Sequence, residues 1–337
     1  MRYRIWCASL LGIALMFVVS AGSSHAQTTR TWISGDGDDA NTCSRSVTTA
    51  GTGPCKTFAG AIAKTATGGE IDTLDPGGFG SVTVTKSITL ASEGTGEGGI
   101  LVAGTNGITV NCATDPNCTV VVRGLQIDGG PIGSNSLNGI RFVAAGTLIV
   151  QNTVLRNFTG GSPNGYGISF QPNSAAKLVV TDSTIQNNGQ PGSTFGGGIF
   201  INPAAGGSAK ATILRTTVVN NILGIRADAS NGATGPIAVT VQDCVVGHSV
   251  FGGIVSFSQA GQQPTTVIVQ GSTSNSNGAG LNANGPTATL RIGSSIVTNN
   301  NTAYTVSNGA TMTSFGNNQI IDNPSGPTVA LPLSAPN

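Results

Sequence analysis

A glycine leading into a short apolar strand recurs at Gly107, Gly139, Gly167, Gly198, Gly224, Gly253 and Gly280, at intervals of 32, 28, 31, 26, 29 and 27 residues. After each opening come an alternating strand, a loop, a second alternation such as LIV at 148–150 or LVV at 178–180, a bend and a third short strand. The apolar period is two throughout, with β-branched residues at the alternating positions. Three strands leave no room for a helix in each unit, which excludes leucine-rich and ankyrin-type arrays. A repeat that cannot bury its own apolar face must stack on its neighbours.

Aligning the later part of each unit gives columns. One holds Val120, Leu148, Leu178, Thr212, Val239, Val267 and Leu290, and the next Val122, Val150, Val180, Leu214, Val241, Val269 and Ile292. A third holds Ile127, Leu155, Ile185, Val219, Val246, Ser274 and Val297. A polar column of Asn157, Asn187, Asn221 and Asn299, shared with Gly129, His248 and Ser276, is expected to pass amide hydrogen bonds from coil to coil. Cys244 aligns with Thr153, Ser183, Thr217, Ser272 and Ser295, and reads as a small buried ladder residue with an inert thiol.

These columns resemble the right-handed parallel β-helix proteins of the pectin-lyase-like group, over roughly residues 56–323. The resemblance implies an all-β solenoid with three short strands per coil. Thr57 can N-cap a short helix carrying Phe58, Ala61 and Ile62 on one face and ended by Gly68-Gly69, which would close the first coil. The expected organisation is a signal peptide over 1–26, a disulfide-containing cap with the helix over 27–67, the β-helix over 68–323, and a tail over 324–337.

Arg2 and Arg4 precede the apolar run LLGIALMFVV, and small residues at Ser24 and Ala26 offer a cleavage site. The run is too short to span a bilayer. Cleavage would remove both arginines and turn the net charge from +1 to −1. Charged residues make up 9% of the chain, against about 25% in ordinary domains. A near-neutral chain with no basic patch argues against nucleic acid and anionic membrane as partners. In an exported protein Cys43 with Cys55 and Cys112 with Cys118 read as two local disulfides. The end of the chain carries no sorting signal with an apolar tail, so an exported protein, periplasmic or extracellular, with no membrane insertion after cleavage is expected.

The resemblance implies that function lies on the outer face of the first strand in each coil. Period two sends Ile140 and Phe142, and their equivalents in later coils, inward. It sends Arg141, Ser169, Phe200, Arg226, Val255 and Asn282 outward in one row, and Val143, Gln171, Asn202, Asp228, Phe257 and Asn284 in the next. Arg141, Phe200, Arg226, Asp228 and Phe257 are therefore the candidate ligand-binding residues, suited to an extended glycan by ring stacking and charge-assisted hydrogen bonds. The bland alternative is that loops cover the phenylalanines and Arg226 pairs with Asp228.

No catalytic residue, metal site or cofactor is assigned. The Asn-Thr-Asp, Gly-His-Gly and Arg-Ile-Lys segments of polygalacturonase-like enzymes do not occur, and Asp38-Asp39 lies ahead of the helix body. Asp182 and Asp243, two coils apart with Thr216 between them, read as bend residues. His248 has no placed acidic or nucleophilic partner and reads as structural. GDGDDAN at 35–41 has Ala40 where a calcium loop needs a ligand, so a turn beside the first disulfide is expected. The reading is an exported β-helix that binds or presents a surface. A polysaccharide lyase or glycoside hydrolase of the same fold, or a structural or adhesive surface protein, are the alternatives.

Overall fold

The computed structural model describes residues 27–94, 96–144, 146–326 and 330–334. The expected signal segment 1–26 lies outside the described residues. The described residues form thirty strands and one helix, arranged in three all-parallel sheets. One coil shows the plan: Asn138–Phe142 belongs to sheet I, Gly146–Gln151 to sheet II and Val154–Arg156 to sheet III. Sheet I has nine strands, sheet II eleven and sheet III ten, each following the coil order. The chain is a right-handed parallel β-helix.

Residue pairing makes the core a set of continuous columns. In sheet I, Ile108, Ile140, Ile168, Ile199, Ile225, Ile254 and Leu281 stack directly, all with at most 1% exposure. Phe142 and Phe170 stack within the same core, their centroids 4.6 Å apart. The opening glycines stand where coils come closest. A Cβ at Gly139 would lie 2.4 Å from the Gly167 carbonyl oxygen, and one at Gly224 would lie 2.3 Å from that of Gly253. Nothing larger than hydrogen fits between successive backbones there.

One coil corrects the alignment. In sheet II the columns run Leu178–Ala211–Val239 and Val180–Ile213–Val241, and in sheet III Ile185–Val218–Val246. Thr212, Leu214 and Val219 therefore point outward, and Thr216, rather than Thr217, aligns with Cys244. The segment ATILRTTVVNN carries aliphatic residues in both phases, so periodicity alone does not choose between them. The turns do. Asn221 falls into the amide ladder with Asn188, Nδ2 of Asn188 lying 3.0 Å from Oδ1 of Asn221. Arg215 takes the left-handed bend at φ 46° and grips Asp182 through Nε and Nη2, at 2.7 and 2.8 Å. Arg215, rather than Thr216, thus separates Asp182 from Asp243.

The asparagine ladder lies one residue beyond its expected place except at Asn221, which the out-of-phase coil leaves in it. Asn188–Asn221 and Asn277–Asn300–Asn323 pass amide hydrogen bonds along the coils, at 2.9–3.0 Å. Asn157, Asn187, Asn220, His248, Ser276 and Asn299 instead hold the preceding left-handed position, with φ between 55° and 65°. A second ladder uses hydroxyls: Ser272 Oγ accepts from Cys244 N at 3.1 Å, and Ser295 Oγ accepts from Ser272 N at the same distance. Cys244 occupies a hydroxyl position in that ladder and is 2% exposed.

The helix Phe58–Ile62 closes the N-terminal end. Thr57 Oγ1 accepts from Gly60 N, and Asp39 accepts from the backbone of Lys56 and Thr57. Phe58 sits edge-on against Phe79 at 6.1 Å and is fully buried. The GDGDDAN segment is thus a turn serving the cap. Sheet II begins with Thr28–Ile33, which pairs with Thr65–Thr73. Cys43–Cys55 and Cys112–Cys118 are disulfides. Among the described residues no helix is long and apolar enough to cross a membrane.

Candidate binding face

Sheet I register carries Arg141 onto Ser169, Ser169 onto Phe200, Phe200 onto Arg226 and Arg226 onto Val255. Asp228 pairs with Phe257 in the adjoining row. All five candidate residues are therefore on one outer face, as the alternation requires. Phe200, Arg226, Asp228 and Phe257 form one contact cluster, while Arg141 stands two rungs away, roughly 9–10 Å along the stack.

Within the cluster the guanidinium lies between rings. Arg226 Cζ is 5.0 Å from the Phe257 centroid and 6.0 Å from that of Phe200. Its Nε and Nη2 both reach Asp228 Oδ2, at 2.8 and 2.6 Å. The other carboxylate oxygen accepts from Ser230 N at 2.7 Å. Although its row faces outward, the Asp228 side chain is only 2% exposed, because Arg226 and its own turn cover it. Asp228 is thus an internal counter-charge, and the pairing foreseen in the bland alternative is present. The phenylalanines nevertheless keep partly exposed rings.

Sequence periodicity missed Tyr166. It lies opposite Gly197, whose lack of a side chain leaves room, and its ring stacks on Phe200 at 4.6 Å and 13°. Burial raises the Tyr166 pKa, partly offset by a hydrogen bond with the Gly196 backbone. The result is a layered stack of Tyr166, Phe200, Arg226 and Phe257, drawn from three register positions of sheet I. An aromatic two places before the inward Ile168 was the available signal.

Arg141 differs from Arg226 in one respect that matters for ligands. Among the described residues it has no carboxylate partner, and it is only partly exposed. Burial pulls its pKa down, but from a value high enough that it stays a cation. The row thus holds one neutralised guanidinium between rings and one free guanidinium beyond Ser169. Among the described residues no three His, Cys, Asp or Glu side chains are grouped to hold a metal ion. His248 lies away from this face, in the turn between sheets III and I.

No protein-family model and no curated protein matches the chain. Among solved structures it is similar to the crystal structure of pectate lyase Pel9A, with a TM-score of 0.51 and 16% sequence identity. The likeness covers 86% of this chain and 68% of that one. At that identity it carries the β-helix fold and no activity.

Proposed function

We propose that this β-helix is an exported carbohydrate-binding protein whose sheet I face holds an extended glycan bearing carboxylates. The observation that carries the reading is the outward row that joins the free Arg141 guanidinium to Phe200 and Arg226, with Phe257 of the adjoining row lying against the Arg226 guanidinium. Sugar rings lie against aromatic faces through their C–H surfaces, and a planar guanidinium meets a carboxylate through two parallel hydrogen bonds. Asp228, the acid within the stack, is buried against Arg226, an arrangement suited to holding the guanidinium rather than to attacking a ligand. Export is supported by the two disulfides, which persist in oxidising compartments.

Electrophoresis through gels containing polygalacturonate, alginate or a neutral glucan tests the reading. Retardation by the acidic polymers is expected. No retardation in either acidic gel overturns it. Release of unsaturated or reducing ends during incubation would replace the binder with a lyase or hydrolase.

A further inference from the structure

A groove of about 1010 Å³ runs along the corner between sheets III and I. Its floor is the left-handed turn residue of four successive coils: Asn157, Asn187, Asn220 and His248. Coils are separated by about 4.8 Å, so these side chains repeat at that interval along the groove. Asn157 gives its amide to Asp128. Asn187, Asn220 and His248 are exposed, and none has a side-chain partner among the described residues.

Two independent observations make this more than a row of turns. Several of the large exposed apolar side chains line it, with Ile132 80%, Val250 58% and Phe251 44% exposed. Thr159, also at the lining, is 7% exposed, and its Oγ1 is buried without a hydrogen-bond partner. The groove therefore combines unused amide donors and acceptors, an orphan hydroxyl and apolar walls.

We infer that this groove is a second ligand site, separate from the sheet I face, for an uncharged sugar chain lying along the coil axis. The lining holds no lysine or arginine. Its carboxylate, Asp128, is occupied by Arg156 Nε at 2.7 Å, by Asn157, and by Gly130 N. A polyanion finds no permanent cation to pair with here, His248 being the one basic side chain of the lining. Sugar hydroxyls both donate and accept, as the Asn187 and Asn220 amides do. The C–H faces of the rings suit Val250 and Phe251. An extended peptide fits less well, since its side chains return to one face only every 6.6–6.8 Å or so, out of step with the coils.

Calorimetric titration of the protein with xylohexaose, cellohexaose, mannohexaose and maltohexaose tests this. The variant of choice is Asn187→Gly/Asn220→Gly, because glycine tolerates the φ of 58° and 56° at these positions while removing both amides. At least one neutral hexasaccharide is expected to bind with no dependence on salt. The double variant should weaken it about tenfold or more, and Thr159→Val should weaken it several-fold, with thermal melts unchanged in Thr159→Val. Phe200→Ala/Phe257→Ala should leave this affinity intact, so failure here and failure of the sheet I reading are separable. The inference is overturned if no neutral hexasaccharide binds, or if binding follows the sheet I variants instead. Selection of an extended peptide whose binding is lost in the Asn187→Gly/Asn220→Gly variant would equally overturn the sugar assignment.

Discussion

Arg226 and Asp228, two residues apart on one strand, form an ion pair whose carboxylate side chain is 2% exposed while the guanidinium side chain is 28% exposed. The pair is therefore part of the fold as well as of the surface. Removing the arginine strands a buried charge, which costs about 3 kcal/mol when geometry is good. Arg226→Ala is expected to lower thermal stability clearly. Asp228→Asn, which keeps an acceptor for Ser230 N, should cost less, and the double replacement by alanine should recover part of the Arg226→Ala loss. A melting temperature unchanged in Arg226→Ala would mean the pair is solvated.

Ile213 and Thr212 decide the phase of the coil that the repeat leaves ambiguous. Ile213 is fully buried and Thr212 is exposed. Ile213→Asp places an unpaired carboxylate in the core and should cost several kcal/mol, enough to unfold neighbouring coils. Thr212→Asp, on the same outer surface as Lys177 and Lys210, should stay within about 0.5 kcal/mol. Urea unfolding of both variants reads the difference, and the reverse order would restore the alternative phase.

That coil shows where sequence reasoning reaches its limit. The sheet I columns were legible because Gly-Ile openings fix both phase and start, and the five candidates keep their register positions although Asp228 is buried there. In 208–221 either phase buried aliphatic residues, and only cross-coil partners such as Asp182 for Arg215 break the tie. The site was legible as a row of directions but not as contacts. Burial of Asp228 and stacking of Tyr166 depend on side-chain conformations that period two does not encode. The corner groove was hidden for a related reason. The repeat aligns Asn157, Asn187 and His248 in one column but puts Asn221 in the place of Asn220, and period two does not show that a left-handed backbone turns these side chains outward.

Cys244 should be inert in the folded protein. Burial pushes its thiol pKa up to about 11, and its Sγ lies 3.1 Å from the Gln242 carbonyl oxygen. Mass spectrometry after iodoacetamide treatment near neutral pH should find Cys244 unmodified in the native state and alkylated in denaturant. Rapid native labelling would place it outside the hydroxyl ladder.

Acid stability follows from three carboxylates. Burial alone would raise Asp128 and Asp39, but their hydrogen bonds outweigh it and hold both below their usual pKa. The Arg215 hydrogen bonds and charge lower Asp182. A depressed folded pKa gives stability that is present above the unfolded value and lost as pH falls through the folded one. Glu70 acts oppositely, since burial and then Asp72 raise it, and its burden is relieved as pH falls. Melting temperature should stay level between about pH 7 and 5 and drop below about pH 4. Asp128→Asn should remove part of that drop, whereas a loss centred above about pH 5 would contradict this assignment.

The sheet I account is tested most directly by calorimetric titration with hexagalacturonate at low and high salt, on the parent protein and on Arg141→Gln. Arg141 is the free cation of the row, so parent affinity should fall as salt rises, and Arg141→Gln should lose about tenfold in affinity together with most of the salt dependence. Phe200→Ala/Phe257→Ala should lose affinity while keeping the salt dependence. Binding that ignores Arg141→Gln and salt alike, or no binding at all, would contradict the account.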